Sequence, residues 1–391
     1  MIRPNITAAV CIGIIFSFIG AAFGDTGQTK VKVTNPLNES RTSETISVNL
    51  KASPALSQFS TGSKPSVYSE HLKQFILCQT IDNDGDGKND ELIFQADFEP
   101  EQTQMFGITE SNQTQDVNAA YRTNAMFVPQ RKDDFAWEND RIAFRMYGQE
   151  IQRTELTSSG IDVWVKKVKE PVMLDLYAKG HDYFHSDNPQ AIDFFNIGPT
   201  LGCGGLGVWF DGKLYRSENY EQWKIIANGP IRSIFELTYK PWQFGDKKAG
   251  EIKKISLDLG SNFNRIESRF DADVNDVRFA VGIVKCERGG HPTYAEDKSQ
   301  LSYWANSDPN FGIVGCAVIL PKNAARNESV DEKNNYLLLA KPNGLRSIVY
   351  YAGACWNKTP DFDSEEKWVS FVQKKAHLIE KPLKIEVLGD K

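Results

Sequence analysis

Short apolar or alternating runs, each closed by turn chemistry, recur along this chain and leave little room for long helices. They are Gln74–Gln79, Leu92–Phe98, Ile142–Tyr147, Ile161–Val165, Gly207–Phe210, Ile231–Tyr239, Ile252–Leu259, Asn264–Phe270, Val277–Val284 and Gly312–Leu320, after an opening run at Ile46–Lys51. Runs of this length with a period of two predict strands. Asp211-Gly212-Lys213 lies between Val208-Trp209-Phe210 and Leu214-Tyr215, and Asp-Gly accepts the positive φ that a tight hairpin needs. Helical spacing is clearest over Ser364–Leu378, through Trp368, Phe371 and Val372, with short candidates around Leu56 and over Val67–Leu72. The fold class that follows is all-β: a large antiparallel β-sandwich with few short helices.

The chain has 391 residues, a length that suits either two domains or one large all-β domain. We read residues 1–24 as a cleaved export signal: Arg3, a short apolar run over Ala8–Ile19, then Ala22-Phe23-Gly24 before Asp25. Residues 25–391 are expected to be one β-sandwich domain, periplasmic or secreted. The formal net charge of −6 argues against a general nucleic-acid binder, whose footprint is a basic face. An anionic ligand in a locally basic pocket stays open. The 8 Trp, 13 Tyr and 23 Phe suit sheets, and they also suit stacking on sugar rings. Beyond the signal remain Cys78, Cys203, Cys286, Cys316 and Cys355, widely spaced and without a C-x-x-C pair. Free thiols are the expectation, with a single disulfide as the alternative.

Asp82-Asn83-Asp84-Gly85-Asp86-Gly87-Lys88-Asn89-Asp90 carries carboxylates at alternate positions with glycine at position six, the front half of a calcium loop. Position twelve is Ile93 where a bidentate Glu belongs. The two readings are a structural calcium held by Asp82, Asp84, Asp86 and Asp90, and a solvated Asp/Gly hairpin turn. His181 and His185 stand four apart, followed by Asp187 and Asp193. No helical pattern surrounds them, and Asp182 stands where a zinc protease needs Glu, so a metal role is not expected. Histidine beside carboxylates and Tyr183 suits proton transfer near neutral pH, or a hydrogen-bonded structural loop. His291, after Arg288-Gly289-Gly290, could line the same cleft. Arg141 and Arg145 share a strand face, which suits a carboxylate or sulfate clamp or an internal ion-pair network. Trp137 beside them is a candidate stacking platform. Gly198-Pro199-Thr200-Leu201-Gly202-Cys203-Gly204-Gly205 lacks a phosphate-loop lysine and reads as a place of close backbone approach beneath a packed ring or a ligand.

The phrases Asp133–Gly148, Ser159–Trp164, Tyr183–Asp193, Leu201–Gly205 and Gly229–Arg232 resemble a domain-of-unknown-function family of exported Bacteroidota proteins, found in polysaccharide-utilisation loci near unsaturated glucuronyl hydrolases. That resemblance implies a galactose-mutarotase-type β-supersandwich. It also implies, through the family's ulvan-degrading branch, an oligosaccharide dehydratase. Such an enzyme removes water from the non-reducing-end glucuronate or iduronate of sulfated-rhamnose oligosaccharides, and the hydrolase acts on its 4,5-unsaturated product. No cofactor is required for that chemistry. It needs a base for the C5 proton, an acid for the 4-hydroxyl and a cation at the carboxylate. We expect His185 as base, Tyr183 or His181 as acid, and Arg141, Arg145, Trp137, Asp193 and His291 as substrate contacts. A polysaccharide lyase and a non-catalytic carbohydrate-binding module are the alternatives.

Overall fold

A computed structural model of the chain describes residues 28–388 apart from residues 63, 111–121, 273, 275, 323 and 342–345. The expected signal, residues 1–24, lies outside the described residues. Among those described, no helix is long and apolar enough to cross a membrane. The architecture is all-β and its strand pairs are antiparallel.

An eight-stranded sheet forms the back of the main body. Gln222–Asn228, Arg232–Phe244, Lys247–Asp258 and Phe263–Phe270 follow one another as a meander. The chain then leaves the sheet, returns at its far edge with Gly290–Tyr294, and works inward through Gln300–Asp308 and Gly312–Ile319 to Ser347–Trp356, which pairs with Phe263–Phe270. Two five-stranded sheets share one apolar core with it. One is ordered Lys213–Tyr215, Cys203–Phe210, Arg278–Val284, Asn335–Lys341 and Ala325–Asp331. The other is ordered Ala191–Asp193, Asp162–Lys166, Ile142–Met146, Asp134–Glu138 and Asn124–Val128. The core between them joins Phe144, Val163, Leu206, Val281, Phe235, Ile255 and Val318. Alternate residues of each strand supply it, as period-two burial requires.

Gly202 shows why the glycine-rich stretch is needed. It has φ +59, and a Cβ there would stand 2.2 Å from the Ile161 carbonyl oxygen, where the two five-stranded sheets meet at an Ile161–Gly202 bridge. The close approach expected beneath a ring or a ligand is instead made to the backbone of a neighbouring strand. The predicted hairpin is present too, with Phe210 opposite Lys213 and positive φ at both Asp211 and Gly212. Ser364 caps the helix Glu365–Glu380 by accepting from the Lys367 N–H, and the helix buries Trp368, Val372 and Ala376.

Besides the main core, the described strands enclose a second large apolar cluster. Thr29–Thr34, Pro65–Ser69, Gln74–Ile76, Thr103–Glu110 and the late strand Lys384–Leu388 form one sheet. Arg41–Asn49, Cys78–Ile81 and Glu91–Phe98 form a second, and the two enclose Val31, Ile46, Phe94 and Phe106. A small cluster of Ile81, Ile93, Ile231 and Ile234 joins this body to the larger one. Val67–Leu72, a helix candidate, is a correction: Pro65–Ser69 is a strand paired with Thr103–Glu110. All five described cysteines are free thiols, three of them buried.

Candidate active site

The sheet that ends at Ala191–Asp193 has two unlike faces. One carries Phe135, Trp137, Phe144, Val163 and Val165 into the main core. The other carries Asp134, Glu138, Arg145, Asp162, Lys166 and Asp193, all buried. Small residues between them, Ala136, Ala143 and Ala191, admit two short helices, Met173–Lys179 and His181–Phe184, which cover that face with Met173, Leu176, Tyr177 and Phe184. Phe184 and Tyr177 close over Trp164, at ring separations of 4.5 and 5.2 Å. Buried charges must find partners, and these do so in two groups.

In the first group Lys166 donates to the Glu138 carboxylate at 2.5 Å and to the carbonyls of Asn139 and Glu170. The other oxygen of Glu138 accepts the N–H groups of Val172 and Met173, both at 2.8 Å. It thereby satisfies the first turn of the helix Met173–Lys179 and fixes where that helix sits. Gly180, at φ +93, then turns the chain into His181–Phe184.

In the second group Arg145 stands opposite Asp162 in the ladder. Its Nε donates to Asp162 at 3.0 Å, and its Nη2 donates to Asp162, to Asp193 at 2.7 Å and to the Tyr147 hydroxyl at 2.9 Å. Asp134 lies 3.5 Å from Nη1 and accepts from Tyr177 at 3.2 Å. Three carboxylates thus share one guanidinium. Burial pushes the Asp134 carboxyl up to about 6 against the pull of Arg145 and Arg131. Burial and the neighbouring Asp162 raise Asp193 well above the usual carboxylate range. Burial likewise raises the Tyr147 hydroxyl.

His185 sits at the surface of this network with its side chain 37% exposed. Its Nδ1 is 2.6 Å from the Asp193 carbonyl oxygen. A carbonyl only accepts, so Nδ1 carries the proton and Nε2 keeps its lone pair in the neutral ring. Nε2 faces the Asp193 carboxyl at 3.6 Å. Desolvation lowers the His185 pKa below its ordinary value, so the neutral form prevails at pH 7. The His181 ring is 4.3 Å away, centroid to centroid.

His185 stands beside His181, as expected, on a helical turn that the sequence pattern did not suggest, but Asp193, expected as a substrate contact, is buried and held by Arg145. Other expectations need correction. Tyr183 is two positions before His185 on a helix, about 200° around the axis, and lies against Lys179; the tyrosines that join the network are Tyr147 and Tyr177. Arg145 is committed to internal carboxylates. Arg141 is elsewhere, paired with Asp361 at 2.8 Å beside a cavity of about 560 Å³ that Asn262, Lys367 and Phe371 also line. The two arginines form no clamp. Trp137 is fully buried and donates to Asn264 at 2.7 Å, so it cannot stack on a sugar. His291, expected to line the same cleft, instead pairs with Glu365 at 2.9 Å on the edge of the eight-stranded sheet.

At the Asp82 loop, Asp82, Asp84 and Asp86 bring carboxylate oxygens within 4.8 Å of one another. Asp90, also expected in the set, lies outside that trio and pairs with Lys51, whose Nζ is 3.6 Å from Asp84 as well. Asp82 already accepts the N–H groups of Gly85 and Gly87 at 2.7 and 2.8 Å, which hold its carboxyl below the usual range. The trio offers three of the six to eight oxygens that calcium takes. Among the described residues no other His, Cys, Asp or Glu trio could share a metal ion.

Residues 33–385 match the model of a domain of unknown function, DUF4861. The chain belongs to the DUF4861 family. An uncharacterised protein, P7, of Formosa agariphila is 31% identical over 389 residues, covering 95% of this chain and 96% of that one. Two solved Enterococcus faecalis structures, a glycosyl hydrolase family 38 protein and an α-mannosidase, superpose with TM-scores of 0.51 at 8% identity. They cover 93% of this DUF4861 chain, which spans about half their length (48% and 46%). At that identity the likeness is one of fold.

Sequence reasoning missed Asp134, Tyr147, Asp162 and Tyr177 as members of the site. A signal was present in the strands Asp134–Glu138, Ile142–Met146 and Asp162–Lys166: both signs of charge alternate there with large apolar residues. That pattern is ambiguous between a solvated face and a covered ion-pair face.

Proposed function

We propose that this DUF4861 protein is a carbohydrate dehydratase acting on the non-reducing-end glucuronate or iduronate of sulfated-rhamnose oligosaccharides. The observation that carries the reading is His185, a neutral imidazole whose Nδ1 is held by the Asp193 carbonyl while Nε2 keeps its lone pair. In this reading Nε2 takes the C5 proton, the C–H electrons form the C4–C5 double bond, and the 4-hydroxyl leaves as water with a proton from His181. The Arg145–Asp162–Asp193 network positions His185 and does not touch substrate. The small sandwich carries a structural calcium at Asp82, Asp84 and Asp86 with no part in the reaction. The protein acts after export, and an unsaturated glucuronyl hydrolase consumes its product.

The test is incubation of the purified protein with uronate-terminated, sulfated-rhamnose oligosaccharides, followed by ultraviolet absorbance and mass spectrometry. The reading predicts new absorbance and an uncut product lighter by one water. New absorbance with shortened chains makes the protein a polysaccharide lyase. Binding without either change makes it a carbohydrate-binding module.

A further inference from the structure

Removing a proton next to a carboxylate requires a cation at that carboxylate; Arg145 is committed to buried carboxylates, and Arg141 lies at another cavity with Asp361. The turn Pro129–Arg131 leads into Lys132 and Asp133, two successive non-glycine residues at φ +53 and +62. Such backbone persists only where its surroundings enforce it, and it concentrates at functional sites. Here Tyr220 donates to the Asp133 carbonyl, and a Cβ on Gly148 would meet that same oxygen at 2.2 Å. The turn aims two cations at one acid. Lys132 donates to Glu155 at 2.9 Å and to Thr154 at 2.7 Å, while Arg131 Nη1 stands 3.8 Å from the same Glu155 oxygen. The Arg131 side chain is 16% exposed, and its Nε is buried without a partner. Glu155 is held below the usual carboxylate range first by Lys132, then by Arg131, with His181 also in range. Two positive charges therefore share one carboxylate just ahead of Asp134, which stands 3.5 Å from Arg145 in the network that holds His185.

We propose that Arg131 and Lys132 are the binding site for the carboxylate of the substrate's terminal uronate, and that Glu155 holds the place a substrate carboxylate takes on binding. The proposal rests on the dehydratase reading and names the specificity site of that reaction. An incoming carboxylate offers Arg131 a planar two-oxygen partner that Glu155, at 3.8 Å, does not supply. The exchange leaves Glu155 free to turn to solvent.

Calorimetric titration of His185→Gln protein, in which substrate is consumed at least about a hundredfold more slowly, tests the site. The probes are an unsulfated glucuronyl-terminated disaccharide, its carboxyl-reduced form, and a rhamnose sulfate without a uronate. The acid form is expected to bind roughly ten- to hundredfold more tightly than the reduced form. Adding Arg131→Gln or Lys132→Met should collapse that ratio while leaving the reduced form's affinity unchanged. Adding Glu155→Gln should tighten the acid form. A preserved ratio in both cation variants, each checked for folding by thermal melting, overturns the proposal. So does a parent that does not distinguish acid from reduced form. Preference for the rhamnose sulfate over the uronate also overturns it, and assigns the cations to a sulfate. Wild-type turnover followed alongside reports separately on the dehydratase reading.

Discussion

His185 is readable at the level of single atoms because its two ring nitrogens meet different partners. The Asp193 carbonyl fixes the tautomer, and burial lowers the pKa. A base works only when unprotonated, so kcat/KM for the proposed uronate substrate should fall as pH drops through a value below 6.5. A pH–rate profile checks this, and an acid limb centred well above 6.5 would contradict it. Asp134 titrates in the opposite sense. Its folded pKa of about 6 lies above the ordinary 3.8, so the native state holds this proton more tightly than the unfolded chain does. The stability it contributes is complete below about 4 and is lost as pH rises through about 6. Thermal melting of Asp134→Asn should therefore show less loss of Tm between pH 4 and 7 than the wild type. At this scale the sequence revealed which residue types suit proton transfer, and it placed His185 near His181, but it gave Asp193 to the substrate where the fold gives it to Arg145. It could not reveal partners. Arg145 and Trp137 carry the right groups for a sugar site, yet burial commits one to Asp162 and Asp193 and the other to Asn264.

At the scale of elements, the helix Met173–Lys179 decides where the histidines stand, and Glu138 holds its first turn. Glu138→Gln breaks a buried pair and leaves the Lys166 charge without its counter-ion. Loss of a buried partner costs about 3–5 kcal/mol, so the variant should melt well below the wild type, and its turnover should fall further than its folded fraction. A variant as stable as the parent would remove Glu138 from this role. Elements with many repeats of one period were legible: the alternating strands, the Asp211-Gly212 turn and the capped helix at Ser364. The helix His181–Phe184 has only four residues, too few to show a period, and it forms because Phe184 packs on Trp164. Val67–Leu72 failed for the converse reason, since pairing with Thr103–Glu110 overrides a local helical spacing.

Across the whole molecule, two cores divide the labour. The larger positions the His181–His185 site, and the smaller holds the Asp82 loop between the strands Cys78–Ile81 and Glu91–Phe98. A chelator should therefore lower the Tm, calcium should restore it, and turnover measured on folded protein should not change. An unchanged Tm would make the loop a self-bonded turn, for which its internal hydrogen bonds already suffice. That the late strand Lys384–Leu388 closes a sheet with Thr29–Thr34 could not be read from the sequence, because a strand's distant partner leaves no local trace. The all-β class could be read, because it is the sum of many local patterns. The claim on which the account turns is that His185 moves the proton. The most direct measurement is the turnover of folded His185→Gln protein on a uronate-terminated oligosaccharide that the wild type dehydrates. The account predicts a loss of about 10²–10⁴-fold with the melting temperature little changed. Turnover near that of the wild type would contradict it.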